Sequence, residues 1–139
     1  MSDSLGSTVP ASLQSFLSFD FGARRTGVAS GNRLMEAATP LRTIVAEAKD
    51  ERLAQAEARV REWRPDALVV GVPFHPDGAP HDNTARARKF ARQLRERCKL
   101  PVYEVDERYS TTEALAGGAR DADAAAACII LEQFLRSLK

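Results

Sequence analysis

Phe16-Leu17-Ser18-Phe19-Asp20-Phe21-Gly22-Ala23-Arg24-Arg25-Thr26-Gly27-Val28-Ala29-Ser30-Gly31-Asn32 is the stretch on which the fold of this 139-residue chain turns. Phe16–Phe21 is short and aromatic-rich and reads as a strand. The segment from Gly22 to Gly27 turns it into a second strand, Val28–Ser30. Gly31-Asn32 is a hairpin-grade pair leading into a third strand, about Leu34–Ala38. Three consecutive strands joined by short turns make an antiparallel meander.

Beyond the meander the apolar period changes from two to about 3.6. Lys49–Arg64 spaces Leu53, Ala56, Val60 and Trp63 by three and four, an amphipathic helix closed by Pro65. Ala67–Val72 is almost wholly apolar, as a central strand covered on both faces should be. Asn83–Lys99 is a second helix with Ala87, Phe90, Ala91, Leu94 and Cys98 along one stripe, and Val102–Val105 is a fifth strand. Ser110-Thr111-Thr112-Glu113 is a capping box opening a short helix that stops at Gly117-Gly118. The last helix, Asp121–Leu138, packs through Ala122, Ala125, Ala126, Ile129 and Ile130. A meander followed by βαβα crossovers in one mixed five-stranded sheet is the ribonuclease H-like α/β arrangement, with strands one, four and five adjacent and parallel.

Upstream, the first fifteen residues, MSDSLGSTVPASLQS, have neither a charged n-region nor an apolar h-region. They read as a flexible tail, leaving 16–139 as a single domain. With 44% hydrophobic and 28% charged residues the chain has an ordinary globular composition, and no apolar run reaches the ~18–20 residues of a membrane span. Cys98 and Cys128, far apart among apolar helical neighbours, read as free buried thiols in a reducing cytoplasm. A formal net charge of +1 selects no partner by itself, so the distribution of charge must.

Asp20 ends the first strand and Glu107, in Asp106-Glu107-Arg108, follows the fifth. In the expected sheet both emerge on one rim, where two carboxylates repel and a divalent cation is the usual compensation. Asp121 and Asp123 open the last helix. Each acid also has a plain reading: Asp20 as a turn cap, Asp-Glu-Arg as a solvated loop, Asp121 and Asp123 as N-terminal helix charges. Together, Asp20, Glu107 and Asp123 fit one mechanism. Oxygen donors suit Mg²⁺ or Mn²⁺, and a two-ion site hydrolyses phosphodiesters. The substrate side is the second helix, with seven cations (Arg86, Arg88, Lys89, Arg92, Arg95, Arg97, Lys99) against Glu96. A stripe of that kind suits phosphate contacts, and Arg24 and Arg25 bring two more cations beside Asp20. His75 and His81, in the loop after strand four, lack zinc-motif spacing and read as loop residues.

Asp20-Phe21-Gly22 through Gly27-Val28-Ala29, Val70-Gly71-Val72-Pro73 with Asp77-Gly78, Thr84 through Phe90, Asp106-Glu107-Arg108-Tyr109-Ser110-Thr111, and Asp123 through Glu132 together resemble the YqgF-type, Holliday-junction-resolvase-like family. That family is linked to maturation of the 5′ end of pre-16S ribosomal RNA. The resemblance spans roughly residues 16 to 137. It implies a ribonuclease H-like fold, a cytoplasmic location, and metal-dependent nuclease chemistry on nucleic acid. The family's acids fall on Asp20, Glu107 and Asp123; beside them the candidate substrate contacts are Arg24, Arg25, Arg86, Arg88, Lys89, Arg92 and Arg108. One departure is the short run Gly117–Ala122 before Asp123, where family members carry a longer, lysine-bearing loop. Arg120 is the candidate stand-in for that lysine, and Asp121 the candidate substitute for Asp123.

Three other readings stay open. Junction-specific DNA cleavage needs two sites facing a symmetric junction, hence a homodimer rather than a monomer. A non-catalytic RNA-binding assembly factor needs no acids. Asp20-Phe21-Gly22 with Thr26-Gly27-Val28-Ala29 also resembles the first phosphate-binding hairpin of actin-like ATPases and sugar kinases. Those proteins close two lobes over ATP, and this chain supplies one.

Overall fold

The computed structural model describes residues 9–107 and 122–138. The chain runs β1 (Ser15–Asp20), β2 (Arg25–Asn32), β3 (Ala38–Val45), α1 (Lys49–Trp63), β4 (Ala67–Pro73), α2 (Thr84–Cys98), β5 (Val102–Glu107) and α3 (Ala122–Ser137). The strands form one five-stranded sheet in the order β3-β2-β1-β4-β5. It is antiparallel through the β1–β2–β3 meander and parallel across β1, β4 and β5, the ribonuclease H-like architecture expected from the element order.

Side chains alternate across a strand, so each strand divides its residues between two layers. Leu17, Phe19, Val28, Leu68, Val70 and Val72 face α1 and α2, where Leu53, Ala56, Phe90, Ala91 and Leu94 complete one buried cluster. Phe90 holds that layer to β1, with ring centroids 5.8 Å from Phe19 and 5.4 Å from Phe21. Phe16, Ala29, Ala67 and Val69 face the other way and are covered by Ala127, Ile130, Leu131, Phe134 and Leu135 of α3. Burying this much apolar surface on both faces is the main stabilising term, about 25 cal/mol per Å².

The α3 layer is built from small residues where it matters. Gly27, Ala29 and Gly31 of β2 pair with Asp20, Ser18 and Phe16 of β1 and lie on the α3 face. A Cβ on Gly27 would lie 1.8 Å from the backbone oxygen of Asp123, so no side chain fits there. A register irregularity between Thr26 and Val28 in the β2–β3 ladder falls at the same point, as bulges near functional rims commonly do. Ser18 Oγ donates to the Ala127 carbonyl at 2.8 Å, and the Ala38 amide donates to Glu132 Oε2 at 3.1 Å, pinning the helix along its length.

Several expectations change. The third strand is Ala38–Val45 rather than about Leu34–Ala38. Asn32 is the last residue of β2 and opens the turn: its side chain accepts from the Met35 amide and its carbonyl from Glu36, which has φ 58°. Leu34, 86% exposed, is at the turn tip. The second strand begins at Arg25 rather than Val28. The expected loose tail through Ser15 is fastened from Val9 onward. Val9 is buried, Arg33 donates to the Leu13 and Pro10 carbonyls, and Asp66 accepts from the Gln14 and Ser15 amides. The packed face of α3 is Ala124, Ala126, Ala127, Ile130, Leu131, Phe134 and Leu135; of the expected face Ala126 and Ile130 lie on it, whereas Ala122, Ala125 and Ile129 are only partly buried. An alanine run carries no periodic signal, so the bulky residues of the later turns set the orientation. Trp63 is half-exposed rather than part of the α1 stripe. Both cysteines are free and partly buried. The expected helix opening at Ser110 lies outside the described residues.

Gly27→Ala should lower stability by roughly the 1–3 kcal/mol of overpacking, seen as a lower urea midpoint at unchanged m. Gly71→Ala should be milder, because the nearest atom to its added Cβ is Ile130 Cδ1, the movable end of a side chain. A parental midpoint for Gly27→Ala would mean that α3 does not seat on β2.

Candidate active site

Asp20 is the last residue of β1 and pairs with Gly27 on one side and Gly71 on the other. Both partners lack side chains, so its carboxyl stands in a clearing on the α3 face of the sheet. Strand β5 continues two residues past the level of Gly71, placing Glu107 opposite Pro73. Parity separates the two acids of Asp106-Glu107: Glu107 points to the α3 face and is 8% exposed, whereas Asp106 points to the other face and is exposed. A Cβ on Gly71 would lie 3.1 Å from Glu107 Oε2. The Glu107 carboxyl therefore leans across β4, over the glycine, and meets Asp20 in a side-chain hydrogen bond.

That contact decides the local electrostatics. Burial, then the Glu107 hydrogen bond and charge, then the charge of Asp123, all push the Asp20 carboxyl well above the usual carboxylate range. Two touching carboxyls share a proton or require a cation. Asp123, in the first turn of α3, is carried to this rim by the close seating of its backbone on Gly27. Its Oδ2 accepts from Arg25 Nε at 2.6 Å, with both side chains partly exposed.

The structure thus gathers Asp20, Glu107 and Asp123 with Arg25. Arg24, in the same turn, is highly exposed and has Glu47 at 3.9 Å. The α2 cations divide between two flanks. Arg88 pairs with Glu104 at 3.5 Å and lies over the Phe74 ring, and Arg95 donates to the Val102 carbonyl, so that flank is engaged with β5 and the loop after β4. Arg86 and Lys89 face α1, and Arg92 is exposed. His75 and His81 stand 5.1 Å apart, ring to ring, in the loop after β4, where His81 Nδ1 accepts from the Asn83 amide. Arg108, Arg120 and Asp121 lie outside the described residues.

Sequence reasoning missed Gly27 and Gly71, although a glycine inside a strand is the recognised sign of a close approach. It also missed Arg52. This α1 residue is 7% exposed, donates from Nη2 to the Ala23 carbonyl and lies 5.0 Å over the Phe21 ring. It buttresses the turn after Asp20, and nothing in the helical spacing marks it.

The donor set can be tested for a metal. Among the described residues no group of three or more acids, histidines or cysteines is arranged to hold a metal ion as it stands; two acids touch and the third is ion-paired to Arg25. The donors are nevertheless all hard oxygens, and Asp20 and Glu107 disfavour each other's charge. Both features suit a divalent cation of the Mg²⁺ or Mn²⁺ kind.

A ribonuclease H-like sheet with carboxyls gathered at the C-terminal rim of its parallel strands defines a nuclease of the resolvase type, a phosphodiester-cleaving hydrolase. The chain belongs to the RuvX family, described as Holliday junction resolvase, whose profile matches residues 14–137. A relative from Polaromonas sp. (strain JS666), named "Putative pre-16S rRNA nuclease", is 72% identical over 128 residues, 92% of each chain. A relative of the same name from Albidiferax ferrireducens is 68% identical over 130 residues, 94% of this chain and 83% of its own. Among solved structures, the fowlpox virus resolvase with Holliday junction DNA matches with TM-score 0.59 at 9% identity, over 89% of this chain and 98% of that one. RuvC of T. thermophilus in complex with a Holliday junction substrate matches with TM-score 0.51 at 19% identity, over 88% and 94%. At these identities the structural likeness establishes the fold. Nucleases of this family depend on divalent metal in general.

A carboxyl whose pKa is raised by folding contributes stability that is fully present below its unfolded pKa of about 3.9. That contribution is lost as pH rises through the raised, folded value. In chelator, the thermal midpoint of the parent should therefore fall relative to Asp20→Asn as pH rises from about 4 to neutrality. At neutral pH the variant should melt higher, since its amide can donate to Glu107 without a charge. Equal midpoints across that range would show that Asp20 and Glu107 are not in contact.

Proposed function

We propose that the chain processes the 5′ end of pre-16S ribosomal RNA in the cytoplasm, using Asp20, Glu107 and Asp123 as the acids of a metal-dependent nuclease. The observation that carries this reading is the Asp20–Glu107 contact: acids from β1 and β5 meet over the glycine of the strand between them. Such a contact opposes folding unless it serves a bound cation. The three acids would hold a pair of Mg²⁺ or Mn²⁺ ions, which when bound would supply an activated water and neutralise charge on the leaving 3′ oxygen.

The other roles fall to the chain's own side chains. Arg25, paired with Asp123, keeps a cation at the rim and lies where a phosphodiester approaching the acids would pass. Arg24 is exposed beside it and suits a non-bridging phosphate oxygen, as do Arg92 on α2 and Arg108 after β5. Arg86 and Lys89 extend the positive surface for the strand, whereas Arg88 would reach it only by leaving its partner Glu104. The choice of RNA rests on the names carried by relatives that are 72% and 68% identical to this chain.

The test is incubation of the purified chain with a precursor RNA spanning the 5′ end of 16S rRNA and, separately, with a four-way DNA junction, each in Mg²⁺, Mn²⁺ or chelator. Metal-dependent RNA cleavage is expected. Asp20→Asn, Glu107→Gln and Asp123→Asn should each slow it by more than the roughly 10–100-fold typical of losing a group that merely supports a ligand. Asp121→Asn should be nearly harmless. Selective cleavage of the junction would instead assign DNA resolution, and RNA binding without cleavage in any metal would assign an assembly factor. Loss of activity in Asp121→Asn but not in Asp123→Asn would move the third acid.

A further inference from the structure

On the opposite face of the sheet from the acids, a cavity of about 300 Å³ opens between the β1–β2 turn, the first turn of α1 and α2. Its charged lining is Lys49, Arg52, Arg86 and Lys89 against the single acid Glu47, and Glu47 already has Arg24 at 3.9 Å. Four cations from two helices converging on one space is unfavourable in the protein alone. Contact with Lys49 pushes the Lys89 ammonium down, and burial, then the charge of Arg86, push the Arg52 guanidinium down.

Arg52 is the strongest sign that the cavity is built for a ligand. It is 7% exposed, its Nε is buried with no hydrogen-bond partner, and its Nη2 is held by the Ala23 and Glu47 carbonyls. Among the described residues no carboxylate forms an ion pair with it. A buried cation without a counter-charge is costly. An anion in the cavity would relieve it together with Lys49, Arg86 and Lys89.

The ligand's chemistry follows from what else lines the space. The Phe21 ring already carries the Arg52 guanidinium at 5.0 Å, and Phe90, 3% exposed, is edge-packed on Phe19 and tilted against Phe21. Neither offers an open face for a nucleobase, so the cavity suits a phosphate rather than a base. Its position matters equally. Asp20 points to the α3 face, Phe21 to the cavity, and Arg52 grips Ala23 of the intervening turn.

We propose that this cavity is a second phosphate subsite, holding a backbone phosphate of the substrate strand after the strand has crossed the β1–β2 turn from the acids. The subsite would set how the strand is drawn over the rim, and Arg52 would couple its occupancy to the turn that follows Asp20. This assignment rests on the nuclease reading for the identity of the strand, whereas the anion site itself does not.

The experiment separates the two. Thermal midpoints of the full chain are measured in inorganic phosphate and in chloride at matched ionic strength. The variants are Lys49→Gln/Lys89→Gln, whose side chains are exposed and whose loss should leave the fold intact, and Arg61→Gln/Arg136→Gln, a charge-matched control on the last turns of α1 and α3. Binding of a single-stranded oligonucleotide is then followed in chelator as a function of salt. The expected result is a phosphate-specific rise in midpoint that Lys49→Gln/Lys89→Gln abolishes and the control retains. Oligonucleotide affinity should fall several-fold in the cavity variant alone, and the slope of log K against log salt should shrink by about 0.7 for each phosphate no longer neutralised. A phosphate effect lost in the cavity variant with oligonucleotide binding unchanged would overturn the strand assignment and leave a site for free phosphate. No phosphate-specific effect in the parent would overturn the subsite altogether. If the parent binds no oligonucleotide, in chelator or in Ca²⁺, while the phosphate effect is present, the nuclease reading fails and the anion site stands.

Discussion

The close seating of α3 on β2 is the constraint from which the rest of the site follows. Backbone meets backbone at Gly27, where a Cβ would lie 1.8 Å from the Asp123 carbonyl oxygen. Interiors are packed to near-crystalline density, so such an approach is possible only where side chains are missing from both surfaces. Glycine and alanine on β2, and the alanines of α3, provide that. The consequence is chemical as much as structural. The first turn of α3 is set down beside Asp20, and the third acid arrives with it. Where a larger residue would keep helix and sheet at an ordinary separation, Asp123 would stand outside the reach of the other two.

Gly71 plays the corresponding part inside the sheet. Acids at the ends of β1 and β5 are separated by a whole strand, and β4 would ordinarily present a side chain between them. Its glycine lets Glu107 lean across to Asp20. The resulting contact works against the stability of the fold, because burial and like charge both disfavour ionised Asp20. The surrounding apolar layers must offset it. Phe16 against Phe134, 5.3 Å apart between ring centroids, and the Ser18–Ala127 hydrogen bond hold the sheet and α3 together just behind the acids. Functional sites commonly carry this kind of local conflict, held by a well-packed scaffold.

Charge is segregated in the same way. A net charge of +1 conceals an acidic patch on the α3 face of the rim and a basic one on the α1–α2 face. The β1–β2 turn lies between them. Arg25 reaches toward the acids, while Arg52 grips the Ala23 carbonyl from the basic side. On the proposed reading a polyanionic strand would be repelled by the acids alone and attracted by the cations, so the positive surface would supply the encounter and the acids would become accessible to it once they hold a cation.

Much of this was legible in the residues themselves. The aromatic strand ending in Asp20, the unbroken apolar run of β4 and the two amphipathic helices before β5 carry period and punctuation that local physics reads directly. From them follow the order of elements, the parallel core of the sheet and the shared rim of Asp20 and Glu107. Where the signal was weak, the expectation drifted. Asn32 looked like half of a two-residue hairpin and is instead the opener of a longer turn. On α3 the expected face was right at Ala126 and Ile130 and missed at Ala122, Ala125 and Ile129, because an alanine run carries no periodic signal. Only tertiary structure decided which acid of Asp106-Glu107 turns inward, which α2 cations are engaged with β5, and that Arg52 is buried beneath the turn. Periodicity specifies which face of an element is buried. What that face meets is set by strands and helices distant in sequence, whose separation at Gly27 and Gly71 is fixed by the absence of a side chain.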